Sequence, residues 1–234
     1  MAIPLLAIAR AANLASKLMP SGGGNAPTMR FSVEADLNKL MAKLNRIQRK
    51  QVPFATSMAL NETANDVSRA ITVQMDRYLD SPTTFTKQAY LTKKGTFRGK
   101  RSTKKKLYVD IIPGPKQAAY LKFQINGGTR TPFQKTIFVP TRVAPKNKHG
   151  NIARGLRKKM ILGEKNFFSA GDREGKTPGI YYKQGERIIP MAFYVDSADY
   201  KPIFPVDKIA GGVVKNRFKI RFDQAIRRAL ATAR

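Results

Sequence analysis

Hydrophobic positions recur at intervals of three and four through the first third of the chain, and that spacing predicts helices. From Ile3 to Leu18 the apolar residues Leu5, Leu6, Ile8, Ala9, Ala12, Ala15 and Leu18, with Leu14 beside them, form a broad helical stripe. MPSGGGNAPT, Met19 to Thr28, follows it with two prolines and three glycines, the composition of a flexible linker. A helix so isolated cannot bury its apolar face alone. Residues 1–28 are therefore read as an assembly arm that docks Leu5, Leu6, Ile8, Leu14 and Leu18 on a neighbouring subunit. The plainer alternative is a terminal helix packed on its own domain.

The next helix is expected to open at Ser32, with Glu34 and Asp36 in a first turn where the helix dipole favours acids. Val33, Leu37, Leu40, Met41, Leu44 and Ile47 keep the helical spacing, and Pro53 is expected to break or kink the run. A second helix should extend from about Pro53 to Leu79, with Phe54, Met58, Val67, Ile71, Met75 and Tyr78 on or beside one face. DSPTTFT, Asp80 to Thr86, ends it.

Beyond this point the period changes. KLYVDII (Lys106 to Ile112) alternates and is rich in β-branched residues, so it reads as a strand, closed by Pro113, Gly114 and Pro115. QAAYLKFQINGG reads as a short helix capped by Gly127 or Gly128. KTIFVP, NFFSA, GIYYK and IIPMAFYV read as strands separated by Gly and Pro. From about Pro205, the positions Ile209, Val213, Phe218, Phe222, Ile226 and Leu230 predict a final helix, although RFKIRF within it alternates strictly enough to fit a strand. The fold class is α+β: long N-terminal helices, a small mostly antiparallel sheet with basic loops, and a C-terminal helix, with residues 29–234 forming a single domain.

Charge changes this picture most. The chain of 234 residues carries 44 Lys and Arg against 15 Asp and Glu, a formal net charge of +29. Residues 81–163 hold 20 of those basic residues and one acid, Asp110. The densest pieces are the basic loops at 93–106 and 146–159. Their candidate contact residues are Lys93, Lys94, Arg98, Lys100, Arg101, Lys104, Lys105 and Lys106, then Lys146, Lys148, Arg154, Arg157, Lys158 and Lys159. Such density suits contact with a phosphate backbone or with an acidic protein neighbour, and a merely solvated surface is the third reading. Tyr90, Phe97 and Tyr108 interleave the first run and could stack on bases, but anchoring the loop ends is the better use of them.

Enzyme chemistry has little to work with. The absence of cysteine excludes disulfides, thiolate metal sites and thiol nucleophiles, and the lone His149 sits in a basic loop without an acid nearby in sequence. AGDREGKT (Ala170 to Thr177) and the later FYVD imitate a phosphate-binding loop and its acidic partner. Pro178 and Gly179 follow at once, and Asp172 and Glu174 put negative charge where phosphates would lie, so a hairpin loop is expected instead. The carboxylate pairs Glu62/Asp66 and Asp76/Asp80 are read as solvated or paired with neighbours such as Arg69 and Arg77. No catalytic residue, cofactor or metal site is expected. No apolar run reaches the ~20 residues of a membrane helix, and Arg10 interrupts the opening stretch, so no membrane association is expected.

RKQVPFATSMALNETANDVSRAI, with PTTFT after the helix, resembles the minor tail protein Z-like family of tailed bacteriophages, which are tail-completion or neck components. In that family a helix with an A-x-N-x-T-A-like segment is followed by a T-x-F-T-like turn and a basic region. YLKFQINGGTR, GNIARG, GIYYK and the terminal FDQAIRRALATAR also resemble recurring pieces of such proteins, so the likeness runs from about Ser32 to Arg234. The resemblance implies a non-enzymatic virion protein, made in the host cytoplasm. It would form a homo-oligomeric ring at the head–tail junction or tail, beside portal, neck or tail proteins and the double-stranded DNA path. Two rival readings remain: a sequence-independent nucleic-acid-binding protein acting in genome packaging, and a nuclease or hydrolase built on the paired carboxylates.

Overall fold

A computed structural model describes residues 28–32, 46–132, 136–171 and 177–232. The arm positions Leu5, Leu6, Ile8, Leu14 and Leu18, and the helix expected through 33–45, lie outside the described residues. The elements in chain order are β1 (Met29–Ser32), α1 (Arg46–Tyr78), α2 (Thr84–Lys87), β2 (Gly99–Lys100), β3 (Tyr108–Ile111), α3 (Pro115–Asn126) and β4 (Gly128–Arg130). They continue with β5 (Ile137–Pro140), α4 (Arg154–Leu162), β6 (Phe167–Ala170), β7 (Gly179–Gln184), β8 (Arg187–Val195), β9 (Ala198–Tyr200) and α5 (Val206–Ala231).

Two helices dominate. In α1 the residues Val52, Ala55, Ala59, Leu60, Ala64, Val67, Ile71 and Met75 are buried, at spacings of three and four. On α5 the same periodicity buries Val206, Ala210, Val214, Phe218, Phe222, Ala225, Ile226 and Ala229. The helices run antiparallel: Tyr78 packs at a tilt against Phe204, just before α5, with centroids 5.9 Å apart, while Arg221 reaches Asp66 and Arg228 reaches Glu62. Burial of the phenylalanines at 218 and 222 settles the ambiguous RFKIRF as helix. A strand would put Ile220 on the same face as both rings, whereas Ile220 is 47% exposed and the two buried rings, four residues apart, stack on each other.

Pro53 lies inside α1 and does not end it. Its missing N–H removes one helical bond, but Val52 and Ala55 on either side are fully buried, and tertiary burial outweighs that loss. Ser32, expected as a helix start, instead closes β1. The alternation of buried Met29 and Phe31 with Arg30 lets this segment pair antiparallel with β3. Arg30 faces Asp110 across the pair and donates to it through Nε and, at 2.9 Å, through Nη2. The bonds to Asp110 hold the Arg30 guanidinium above its ordinary pKa range.

The strands build three antiparallel sheets and not one: β1-β3-β2, β4-β9 and β5-β8-β7-β6. The first closes over the α1–α5 core through Met29, Phe31, Val109 and Ile111. The third has its own cluster of Ala144, Met160, Ile180, Met191 and Ala192, covered on one side by α4. Strands β6 and β7, which flank AGDREGKT, pair antiparallel with Ala170 opposite Gly179, and the loop expected at 172–176 lies outside the described residues. Helix α3 ends at Gly127, whose φ of +72° only glycine adopts freely.

Ile71 is fully buried two residues from Val73, which is 70% exposed. Ile71→Ala should lower stability by about 2–5 kcal/mol, and Val73→Ala should change it by no more than about 0.5 kcal/mol. Urea unfolding of the two variants measures the contrast.

Candidate functional site

The first basic run is a braced structure and not a free loop. Leu91 bridges to Phe97, Gly99–Lys100 pairs with β3, and Thr103 closes a tight turn with Lys106. Gly99 has φ +145°, and a Cβ there would lie 1.8 Å from the Asp110 carbonyl oxygen, so only glycine lets β2 approach β3. Two asparagines one turn apart on α1 hold the run from beneath. Asn61 accepts from the Ser102 amide at 2.9 Å and donates to its carbonyl at 3.1 Å, and Asn65 accepts from the Phe97 amide at 2.9 Å. Sequence reading missed both roles, although Asn61 is the asparagine of the A-x-N-x-T-A segment.

This scaffold turns its cations outward. Lys93, Lys94, Lys100, Arg101, Lys104, Lys105 and Lys106 are exposed. Arg98 is the exception: it is half-buried and donates to the Leu91 carbonyl, which makes it a brace for the run. Tyr90 and Phe97 are buried, and burial pushes the Tyr90 phenol pKa up, with Asp207 adding to the shift. Neither ring can stack on a base; they anchor the run. Arg101 lies over Phe97, Lys104 over Phe54, and Arg30 over Tyr108, with centroid distances of 5.4, 4.8 and 4.8 Å.

The second basic segment divides. Lys146 to Gly150 is a turn braced by Asn147, and 154–159 begin helix α4, so this part is helical where a loop was expected. Lys146, Lys148, Arg154, Arg157, Lys158 and Lys159 are exposed, with Arg157 5.0 Å over the Phe138 ring. The first turn of α4 has no acid to offset its dipole. His149 directs Nδ1 to the Ser81 carbonyl at 3.0 Å, and because a carbonyl only accepts, that nitrogen carries the proton.

Several acids hold structural partners. Arg221 donates to both oxygens of Asp66 at 2.8 Å, which holds its own guanidinium above the ordinary pKa range. Arg228 donates to Glu62 at 3.2 Å, and Lys87 to Asp76 at 2.7 Å. The partners of Glu62 and Asp66 thus come from α5 and not from Arg69 or Arg77. Asp110, the one acid of 81–163, is buried against Arg30. Among the described residues, no carboxylate pairs with the exposed cations of either basic segment. No described helix is long and apolar enough to cross a membrane, and no group of three or more potential ligands gathers for a metal among the described residues.

No protein-family model, curated protein or solved structure matches the chain. The arrangement must therefore be interpreted from its own chemistry: a rigid, outward-facing field of positive charge whose internal carboxylates are used elsewhere.

Each Asn61 and Asn65 bond should contribute about 0.5–1.5 kcal/mol to holding the basic run. In Asn61→Ala and Asn65→Ala, the Ser102 and Phe97 amides respectively should exchange faster with solvent while the α1–α5 core keeps its protection. Site-resolved hydrogen exchange tests this.

Proposed function

We propose that this protein is a non-enzymatic structural component of a bacteriophage virion. In this reading it is a neck or tail-completion subunit assembling as a ring near the DNA path. The observation that carries the DNA-proximal part is the braced run 93–106, which presents Lys93, Lys94, Lys100, Lys104, Lys105 and Lys106 without carboxylate partners. Ordering so many like charges on one rigid surface costs self-repulsion, which a polyanion relieves. The phage assignment rests on the sequence resemblance: its A-x-N-x-T-A-like segment buries Ala59, Thr63 and Ala64 and uses Asn61 to brace the basic run. Its T-x-F-T-like turn is a working cap, with Thr83 accepting from the Thr86 amide at 3.2 Å. A ring repeats one heterologous contact around its axis, and the arm 1–28 is the segment proposed to make it.

Imaging labelled protein in purified virions tests the assignment directly: density at the head–tail junction or tail supports it, and absence from particles refutes it. Deleting residues 1–28 should leave a folded body that fails to enter particles, as read by particle composition and circular dichroism. The rival reading, a packaging factor that binds nucleic acid within the cell, expects free protein on DNA and none in mature particles.

The basic run should bind duplex DNA without sequence preference, each neutralised phosphate adding about −0.9 to the slope of log affinity against log salt. Replacing Lys104, Lys105 and Lys106 with Ala should flatten that slope by about 2 to 3 units and weaken all sequences alike. Fluorescence anisotropy across a salt series measures it.

A further inference from the structure

The α1–α5 seam carries a second basic feature on another side of the molecule. An open groove of about 670 Å³ runs between the C-terminal half of α1 and the N-terminal half of α5. Arg69 and Arg77 line it from α1, and Lys208 and Arg217 line it from α5, with the amides of Gln74 and Asn216 between them. The antiparallel register set by Tyr78–Phe204 and Asp66–Arg221 places Arg77 across from Lys208 and Arg69 across from Arg217. At ~1.5 Å of rise per residue, the two cross-groove pairs are about 12–14 Å apart. All four cations are exposed, and none pairs with a carboxylate among the described residues. The carboxylate in the lining, Asp66, already accepts from Arg221 through both oxygens.

We propose that this groove is a second phosphate-backbone site, binding one strand of a nucleic acid through the pairs Arg77/Lys208 and Arg69/Arg217. Guanidinium groups fit phosphate oxygens in bidentate fashion, and glutamine and asparagine amides are common neutral donors to phosphate. Phosphates of one strand recur every ~3.4 Å along a duplex axis, so the cationic pairs span about four of them. Other occupants fit less well. A second copy of the chain brings a net charge of +29, and residues 1–28 contain Arg10 and Lys17 but no acid. An acidic amphipathic helix needs deep apolar anchor pockets, whereas the groove's apolar lining is Ala70, Pro205 and the half-buried Tyr78, Ile209 and Val213, the last three already packed on the core.

The groove is distinct from the basic run. At ~100° per residue, Asn61, Asn65 and Thr72, which bind backbone atoms of Ser102, Phe97 and Lys87, lie roughly 150° around α1 from the face of Asp66, Ala70, Gln74 and Arg77, and about 60° from Arg69 at the groove's near edge. It also does not depend on the virion assignment, because it is tested on purified full-length protein.

Gly212 offers a clean probe. It lines the groove in an ordinary helical conformation, and a Cβ there would meet nothing within 4 Å. Gly212→Glu should therefore fold normally and weaken duplex binding at every salt concentration, while Gly212→Ala keeps it. Arg77→Ala with Lys208→Ala should flatten the salt slope by about 2 units, and do so equally in the chain already carrying the Lys104–Lys106 replacements. Tripolyphosphate and poly-glutamate serve as competitors. Additive slope loss, with duplex DNA bound in preference to both competitors, supports the site. An unchanged slope overturns it. Groove-dependent binding of tripolyphosphate that excludes DNA would assign a free polyphosphate ligand, and groove-dependent binding of poly-glutamate alone would assign an acidic protein; either outcome overturns the backbone proposal.

Discussion

The antiparallel packing of α1 against α5 is the contact on which the larger core, the first basic run and the groove depend. Most of the larger core lies along it or against it: Leu60, Val67, Ile71 and Met75 from one helix, Val214, Phe218, Phe222 and Ile226 from the other. Small residues at 55, 59, 64, 210, 225 and 229 let the two backbones approach closely. Ion pairs at 62, 66, 221 and 228 fix the register. Partly exposed pairs of this kind contribute little net stability, about 0–1 kcal/mol each. Their value is geometric, because a slip by one turn would separate Arg221 from Asp66.

The first basic run and the groove are both arranged around that spine. One face of α1 presents Asn61, Asn65 and Thr72, which bind backbone groups of the segment after the helix and hold it in place. Another face contributes to the groove shared with α5. Side-chain amides suit the bracing task because they satisfy backbone donors and acceptors without adding charge. A carboxylate at 61 or 65 would neutralise the neighbouring lysines and consume the field that the run displays.

The acids follow the same logic. Glu62, Asp66, Asp76 and Asp110 each hold a cation that is structural, so the excess charge concentrates on exposed lysines and arginines. Asp110 is the clearest case: it is the one acid in a segment with 20 basic residues, yet it takes its partner, Arg30, from β1. Long-range pairing of this kind leaves the local imbalance intact and carries the burial of Met29 and Phe31 with it.

Periodicity, with local turn and β-branched signals, determined the main helical stretch after Pro53, the C-terminal helix apart from RFKIRF, α3 with a glycine cap and most strands, because burial on one face imposes a pattern that local sequence records. It also marked where the positive charge concentrates. Tertiary structure decided the rest. Pro53 is carried through α1 because buried neighbours on both sides outweigh one missing hydrogen bond. Ser32 closes a strand because β3, some eighty residues away, supplies the ladder. The strands divide among three sheets, since pairing partners are chosen by contacts that no local window contains. Asn61 and Asn65 could not be recognised as braces from sequence, for an asparagine on a helix face shows its partner only once the chain has returned. The same holds for the groove: Arg69, Arg77, Lys208 and Arg217 belong to segments far apart in sequence, and only the antiparallel register brings them together.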